Sequence, residues 1–147
     1  MDRIHAAIDA YGSDQFIDVA TFYEPYATSE VDIKYGPAPG SISPNILGRT
    51  FGWNYVSGQC VAGGTAWTGC WYSWSLVEMY PLRFGLTNFA PNFQEVTMHE
   101  IGHSFGFEHD ILNTESVMTE NPCCSPHSPA LTSIAPIDRA KFNLIYP

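Results

Sequence analysis

The sequence predicts an α+β fold, and three observations carry that expectation. Runs rich in β-branched and aromatic residues, at Phe16–Tyr23, Val31–Tyr35, Ile46–Tyr55 and Cys70–Val77, have the composition of strands. Apolar residues recur at helical spacing near both ends of the chain, in residues 2–11 and 137–146. Between them a helix that opens near Asn92 and stops at Gly106 carries His99 and His103.

In chain order, Ile4, Ala7, Ile8 and Tyr11 share one face of the first helix, which Gly12-Ser13-Asp14 ends. The strands Phe16–Tyr23 and Val31–Tyr35 follow, the second stopped by Gly36-Pro37. Pro37–Pro44 is expected to be loop, because proline has no N–H to give to a ladder. Ile46–Tyr55 reads as a strand interrupted by Gly48 and Gly52, and Gly58–Gly69 as a glycine-rich loop leading into Cys70–Val77. Pro81–Pro91 connects to the histidine-bearing helix, where Asn92 and Glu95 resemble a capping pair and Phe93 and Val96 face the core. The closing helix, Ile137–Tyr146, has Ile137, Ala140, Lys141, Leu144 and Ile145 at helical spacing.

The chain has 147 residues, 45% hydrophobic and 14% charged, which suits one globular domain with its own core. A net charge of -9, with six scattered Lys and Arg, argues against binding nucleic acid or an anionic membrane surface. No apolar run is long enough to span a bilayer, and Met1-Asp2-Arg3-Ile4-His5 lacks the hydrophobic stretch of a signal peptide. A signal or pro-segment is expected to lie outside this chain, or export to use another route. Cys60, Cys70, Cys123 and Cys124 allow three pairings if all are oxidised. A local Cys60–Cys70 bridge is the simplest, and a vicinal Cys123–Cys124 bridge, cross-pairing, free thiols or a second metal site stay open.

The chemistry concentrates in His99-Glu100-Ile101-Gly102-His103-Ser104-Phe105-Gly106-Phe107-Glu108-His109-Asp110. On a helix, residues four apart lie roughly 40° apart around the axis and about 6 Å apart along it, so His99 and His103 can reach one ion. Gly106 is placed to stop the helix in the left-handed conformation, and the turn brings His109 round as a third ligand. Three imidazoles leave the fourth tetrahedral position of a zinc ion open, the pattern of a catalytic site. Glu100 stands beside the first ligand as a candidate general base for the attacking water. His127, a single histidine in a proline-rich loop, is expected to be a solvated side chain with no metal role.

At these residues the chain resembles the metzincin zinc endopeptidases, whose motif is H-E-x-x-H-x-x-G-x-x-H followed by a methionine turn. His99, Glu100, His103, Gly106 and His109 match its fixed positions, and Ser116-Val117-Met118-Thr119 resembles the turn, with Met118 as its methionine. The resemblance implies a zincin fold: a twisted mixed β-sheet, an active-site helix and a small C-terminal subdomain ending in a helix. One catalytic domain is then expected over 1–147, with an upper part at about 1–106 and a lower part at about 107–147. It also implies one catalytic Zn2+, a secreted and monomeric enzyme, and a protein or peptide substrate bound extended along the Ile46–Tyr55 strand, the alternative there being an ordinary edge strand blunted by glycines. The segment after Met118 is expected to wall the pocket for the residue following the cleaved bond.

The element order is most similar to the matrixin branch, whereas Asp110 departs from it, since matrixins commonly have serine there and adamalysins and snapalysin-like enzymes often aspartate. Asp110 is expected to hydrogen-bond the Met118 turn, the alternative being a surface carboxylate near a helix end. The structural zinc and calcium ions of matrixins are not expected, because residues 36–55 contain neither histidine nor aspartate. A module that binds zinc and peptide without turnover, and a domain using zinc solely to fold, are the competing readings. Glu100 and the open three-histidine pattern argue against both.

Overall fold

The computed structural model describes residues 6, 7, 10, 31–54, 58–59, 74–84, 89–119, 127 and 129–145. The expected strand at Phe16–Tyr23, all four cysteines and most of the helix at 2–11 lie outside them. Of that helix, Ala6, Ala7 and Ala10 are helical, and Ala7 is fully buried.

Four strands form one sheet: β1 (Val31–Tyr35), β2 (Gly48–Asn54), β3 (Gly58–Gln59) and β4 (Trp74–Met79). Their spatial order is β1-β4-β2-β3. β1 runs parallel to β4, and β2 is antiparallel to both β4 and β3, so the sheet is mixed as expected. β4 shows why strands form here. Ser75, Val77 and Met79 are buried while Leu76 and Glu78 are partly exposed, the period-two alternation of a sheet with one packed face. The alternation carries β4 to Met79, two residues past the expected end, because Glu78 on the outer face pairs with Arg49 of β2. β2 lies near the edge: β4 pairs with it from Gly48 to Trp53, whereas β3 pairs only with Trp53 and Asn54.

Two helices follow, α1 (Phe89–Ser104) and α2 (Pro136–Ile145). α1 begins three residues before the expected Asn92 cap, so Asn92 lies inside the first turns. Pro91 is tolerated because the first-turn N–H groups have no intrahelical partner to lose. Glu95 does not reach back to the helix start; its carboxylate is bonded to the segment at 127–131. Every residue from Phe93 to Gly102 is buried, which marks α1 as a central helix with no solvent face over that stretch.

One core packs α1 on the sheet side through Leu47, Val77, Met79, Phe84, Phe93 and Val96, with Phe84 and Phe93 edge to face at 5.1 Å. The other packs it on the C-terminal side through Ala7, Met98, Ile101, Phe107, Val117, Met118, Ile134 and Phe142. Phe105 and Phe107 each meet Phe142 edge-on, at 5.1 and 5.0 Å, and such pairs add about 0.5–1.5 kcal/mol beyond the area they bury. The α2 stripe differs from the expected one: Ala140 is exposed, and Asp138 and Phe142 face inward. A buried carboxylate inside the apolar stripe shifts its phase.

The 37–44 loop is held to the short 3-10 turn Pro81–Arg83 by a single cation. Arg83 donates to the carbonyls of Ser43 (2.5 Å), Ile46 (2.7 Å) and Ile42 (3.0 Å). Arg83→Met keeps most of the stem and removes three charge-assisted donors. It should lower unfolding free energy by about 1–3 kcal/mol in urea titration, and a loss under about 0.5 kcal/mol would mean the loop is held otherwise.

Candidate metal centre

The geometry of the centre follows from how α1 ends. Gly106 adopts φ 86, and the Gly106 N–H donates to His103 O (2.9 Å) while the Phe107 N–H donates to Gly102 O (3.1 Å). This is a Schellman closure, which a side chain at the left-handed position would strain. It turns the chain back across the helix end, so that His109 meets His99 and His103.

The three Nε2 atoms converge: His99 to His103 is 3.0 Å, and each is 3.2 Å from His109. The protons on two of these rings are assigned by their other nitrogens. His99 Nδ1 lies 2.8 Å from Val117 O and His103 Nδ1 lies 2.6 Å from Phe107 O. A carbonyl can only accept, so each Nδ1 carries the hydrogen and each neutral ring presents an Nε2 lone pair. His99 and His103 therefore face one another across 3.0 Å with no proton between them, a repulsive arrangement that a cation relieves. Two nitrogens about 2.0–2.1 Å from a tetrahedral zinc are about 3.3 Å apart, so the observed spacings fit one such ion. Among the described residues this trio is the cluster able to hold a metal.

Burial favours the ligating form. It pulls His99 well below the usual imidazole range, helped by the neighbouring His103, and takes His103 down to about 4, so both stay neutral. Glu100, 2% exposed, is pushed up to about 8 by burial, and a bond from Thr50 partly offsets this. A cation at the three nitrogens acts on that carboxyl in the opposite sense.

The turn at Ser116–Met118 lies against His99 and is fastened by Asp138. Asp138 accepts the Val117 N–H at 2.8 Å and the Ser116 hydroxyl, while Val117 O holds His99. Met118 is buried in the C-terminal core, its N–H on Ser116 Oγ (3.0 Å) and its carbonyl accepting the Asp110 N–H (2.7 Å). Asp110 meets the turn through its backbone N–H, and its carboxylate accepts from Leu112 N (3.0 Å), Asn113 N (3.2 Å), Asn113 Nδ2 (2.6 Å) and the Lys141 ammonium. Burial would raise that carboxyl, and these donors outweigh it and hold it below its usual range. The carboxylate bonded to the turn is Asp138.

Of the residues expected at the site, the structure brings together His99, His103 and His109 around the turn at Gly106, while Glu100 follows His99 on α1 and Met118 follows the Val117 carbonyl that holds His99. It adds four that the sequence did not single out in these roles: Asp138, Thr50, Glu95 and the carbonyl of Val117. An acidic residue in the first turn of α2 was a weak pointer to Asp138, but such residues usually serve the helix dipole.

His127 is not the solvated side chain that was expected. Its Nδ1 lies 2.5 Å from Glu95 Oε1 and its Nε2 bonds the Thr114 carbonyl, so both ring nitrogens donate. The fully buried Glu95 also takes Leu131 N (2.7 Å), and Gln94 Nε2 donates to Thr132 O (3.1 Å). α1 thus clamps the chain that follows Met118.

An α+β fold that sets three imidazoles on one point, with a carboxylate beside the first, defines a metallopeptidase-type centre. Residues 51–140 match the model of metallo-peptidase family M12, and the chain belongs to that family. The match upholds the metzincin likeness and the mixed-sheet fold it implied. No curated protein matches the sequence. Membership implies protein substrates, and no helix among the described residues is long and apolar enough to cross a membrane.

Burial alone would lower the His127 pKa, but its bonds to Glu95 and Thr114 raise it above 6.5. A raised folded-state pKa means the stabilisation is complete below the unfolded value and is lost as pH rises through the folded one. His127→Gln should therefore cost about 1–3 kcal/mol near pH 6 and distinctly less near pH 9, measured by chemical denaturation at both. An equal cost at both pH values would show that the imidazolium is not what holds Glu95.

Proposed function

We propose that the chain is a zinc endopeptidase cleaving internal peptide bonds, with His99, His103 and His109 holding one zinc ion and Glu100 acting as general base. The observation that carries this reading is the convergence of three Nε2 atoms within 3.2 Å, on a helix where a buried glutamate follows the first of them. When bound, zinc supplies a Lewis acid for the scissile carbonyl and acidifies water. Glu100 takes the proton of the attacking water and delivers it to the leaving amine. No serine or cysteine nucleophile is required.

β2 pairs with β4 from Gly48 to Trp53 and with β3 at Trp53 and Asn54. An extended peptide laid along β2 would continue the sheet's ladder and pass the histidines. The segment at 127–132, clamped by Gln94 and Glu95, fits the wall of the pocket beyond the cleaved bond. A single catalytic unit, with its cleft between 1–106 and 107–147, suits both placements. Here Met118 acts as the methionine of a Met-turn, its carbonyl and buried side chain supporting the loop that holds His99. The four cysteines and the family suit a secreted enzyme whose loops are stapled by disulfides.

A mixed peptide library incubated with zinc-loaded protein should be cut at internal bonds, and a chelator should abolish cutting. Glu100→Gln should lower kcat/KM by about 10²–10⁴-fold while still binding zinc. An uncut library would reject the endopeptidase, and full activity in Glu100→Gln would reject the base.

A further inference from the structure

The placement of Glu100 depends on β2 as well as on α1. Along β2 the side chains alternate. Arg49 and Phe51 share the outer face, where the Arg49 guanidinium lies 4.3 Å from the Phe51 ring centre and 2.7 Å from Glu78. Gly48 and Thr50 fall on the opposite face, toward α1. A Cβ on Gly48 would come 3.0 Å from Glu100 Cγ, 2.9 Å from Met79 Sδ and 3.2 Å from the Glu78 carbonyl. The Glu100 methylenes therefore lie against the bare backbone of Gly48, in space that any other residue would fill.

Two residues on, Thr50 Oγ1 stands 2.7 Å from the main-chain oxygen of Glu100 and 2.8 Å from its Oε2. One hydroxyl, its single proton shared between these two acceptors, thus ties the Glu100 carboxylate back to its own main chain and selects its rotamer. Among the described residues, Thr50 is the side chain bonded to this carboxylate. Both β2 residues precede the segment that matches family M12, 51–140.

We propose that Thr50 is a positioning residue for the general base, holding the Glu100 carboxylate in its working orientation while the Gly48 backbone provides the room it needs. This rests on the reading of Glu100 as the base. Threonine suits the task because its β-branch is stiff at χ1, so a hydroxyl set by the strand has little freedom to swing away. Valine has nearly the same shape and no hydroxyl, which leaves Glu100 unheld. Serine restores the hydroxyl with a looser χ1.

The test compares Thr50→Val, Thr50→Ser and Glu100→Gln, singly and as the Thr50→Val/Glu100→Gln pair, in zinc-loaded protein. Thr50→Val should lower kcat about tenfold with KM within about twofold, and Thr50→Ser should recover most of it. Zinc affinity by competition with a chromophoric chelator, and the thermal midpoint, should stay near wild type in both. In the Glu100→Gln background, Thr50→Val should have no further effect, because the group it positions is gone.

In protein labelled with 13C at glutamate carboxyls, Thr50→Val should move the Glu100 resonance, identified by its loss in Glu100→Gln, and Thr50→Ser should largely restore it. Wild-type kcat in Thr50→Val beside an inactive Glu100→Gln would overturn the inference and leave the base reading intact. If the wild-type protein cleaves nothing, the endopeptidase reading fails by itself. The resonance then decides, and no movement in Thr50→Val overturns the inference.

Discussion

Three imidazole Nε2 atoms are packed within 3.2 Å of one another, two of them presenting lone pairs, and much of the described structure is arranged to keep them there. Neutral acceptors do not choose such company. The cost is met by fixing the rings from behind: the Val117 carbonyl holds His99, the Phe107 carbonyl holds His103, and burial keeps both uncharged. Each holding group is itself held. Phe107 sits where the Schellman turn at Gly106 puts it, and the Val117 peptide is gripped on its N–H side by Asp138. A cation turns this mutual repulsion into ligation, which is why the donor set reads as a metal centre.

The two cores make that arrangement rigid. α1 has no solvent face from Phe93 to Gly102, so its turns cannot shift without disturbing the sheet on one side and the C-terminal segment on the other. Asp138 extends the coupling to α2, because one carboxylate joins that helix to the turn behind His99. On the opposite flank Glu95, one turn ahead of His99, holds the segment at 127–131 through the His127 imidazolium and two backbone N–H groups. The metal ligands, the turn behind them and the segment beyond it are therefore fastened to the same central helix.

What was legible in the sequence was local. β1 keeps its expected bounds because Val31–Tyr35 is a short β-rich run and Gly36-Pro37 ends it. Gly106 was legible because few residues other than glycine accept a positive φ, and His99, His103 and His109 because ligand spacing on a helix and its following turn is a fixed geometry. Elsewhere a distant partner decided the outcome. Asn92 and Glu95 have capping spacing, yet Glu95 was claimed by a histidine far along the chain, and Pro91 allowed an earlier start than a connector suggests. Asp138 has the placing of an ordinary first-turn acid of a helix, and only the packing of the turn at Ser116 shows what it binds. Thr50 is one β-former among many, and only the packing of β2 over α1 shows what its hydroxyl touches.

The most direct test of the metal centre is the protonation pattern of its rings, followed by 15N NMR of the histidine side chains as zinc is titrated into metal-free protein. Expected is one equivalent per chain, with Nε2 of His99, His103 and His109 shifting together. His99 and His103 should keep the hydrogen on Nδ1 throughout, and both nitrogens of His127 should be unaffected. Ligation through Nδ1 of His99 or His103, participation of His127, or no saturable binding would contradict a centre built on three converging Nε2 atoms.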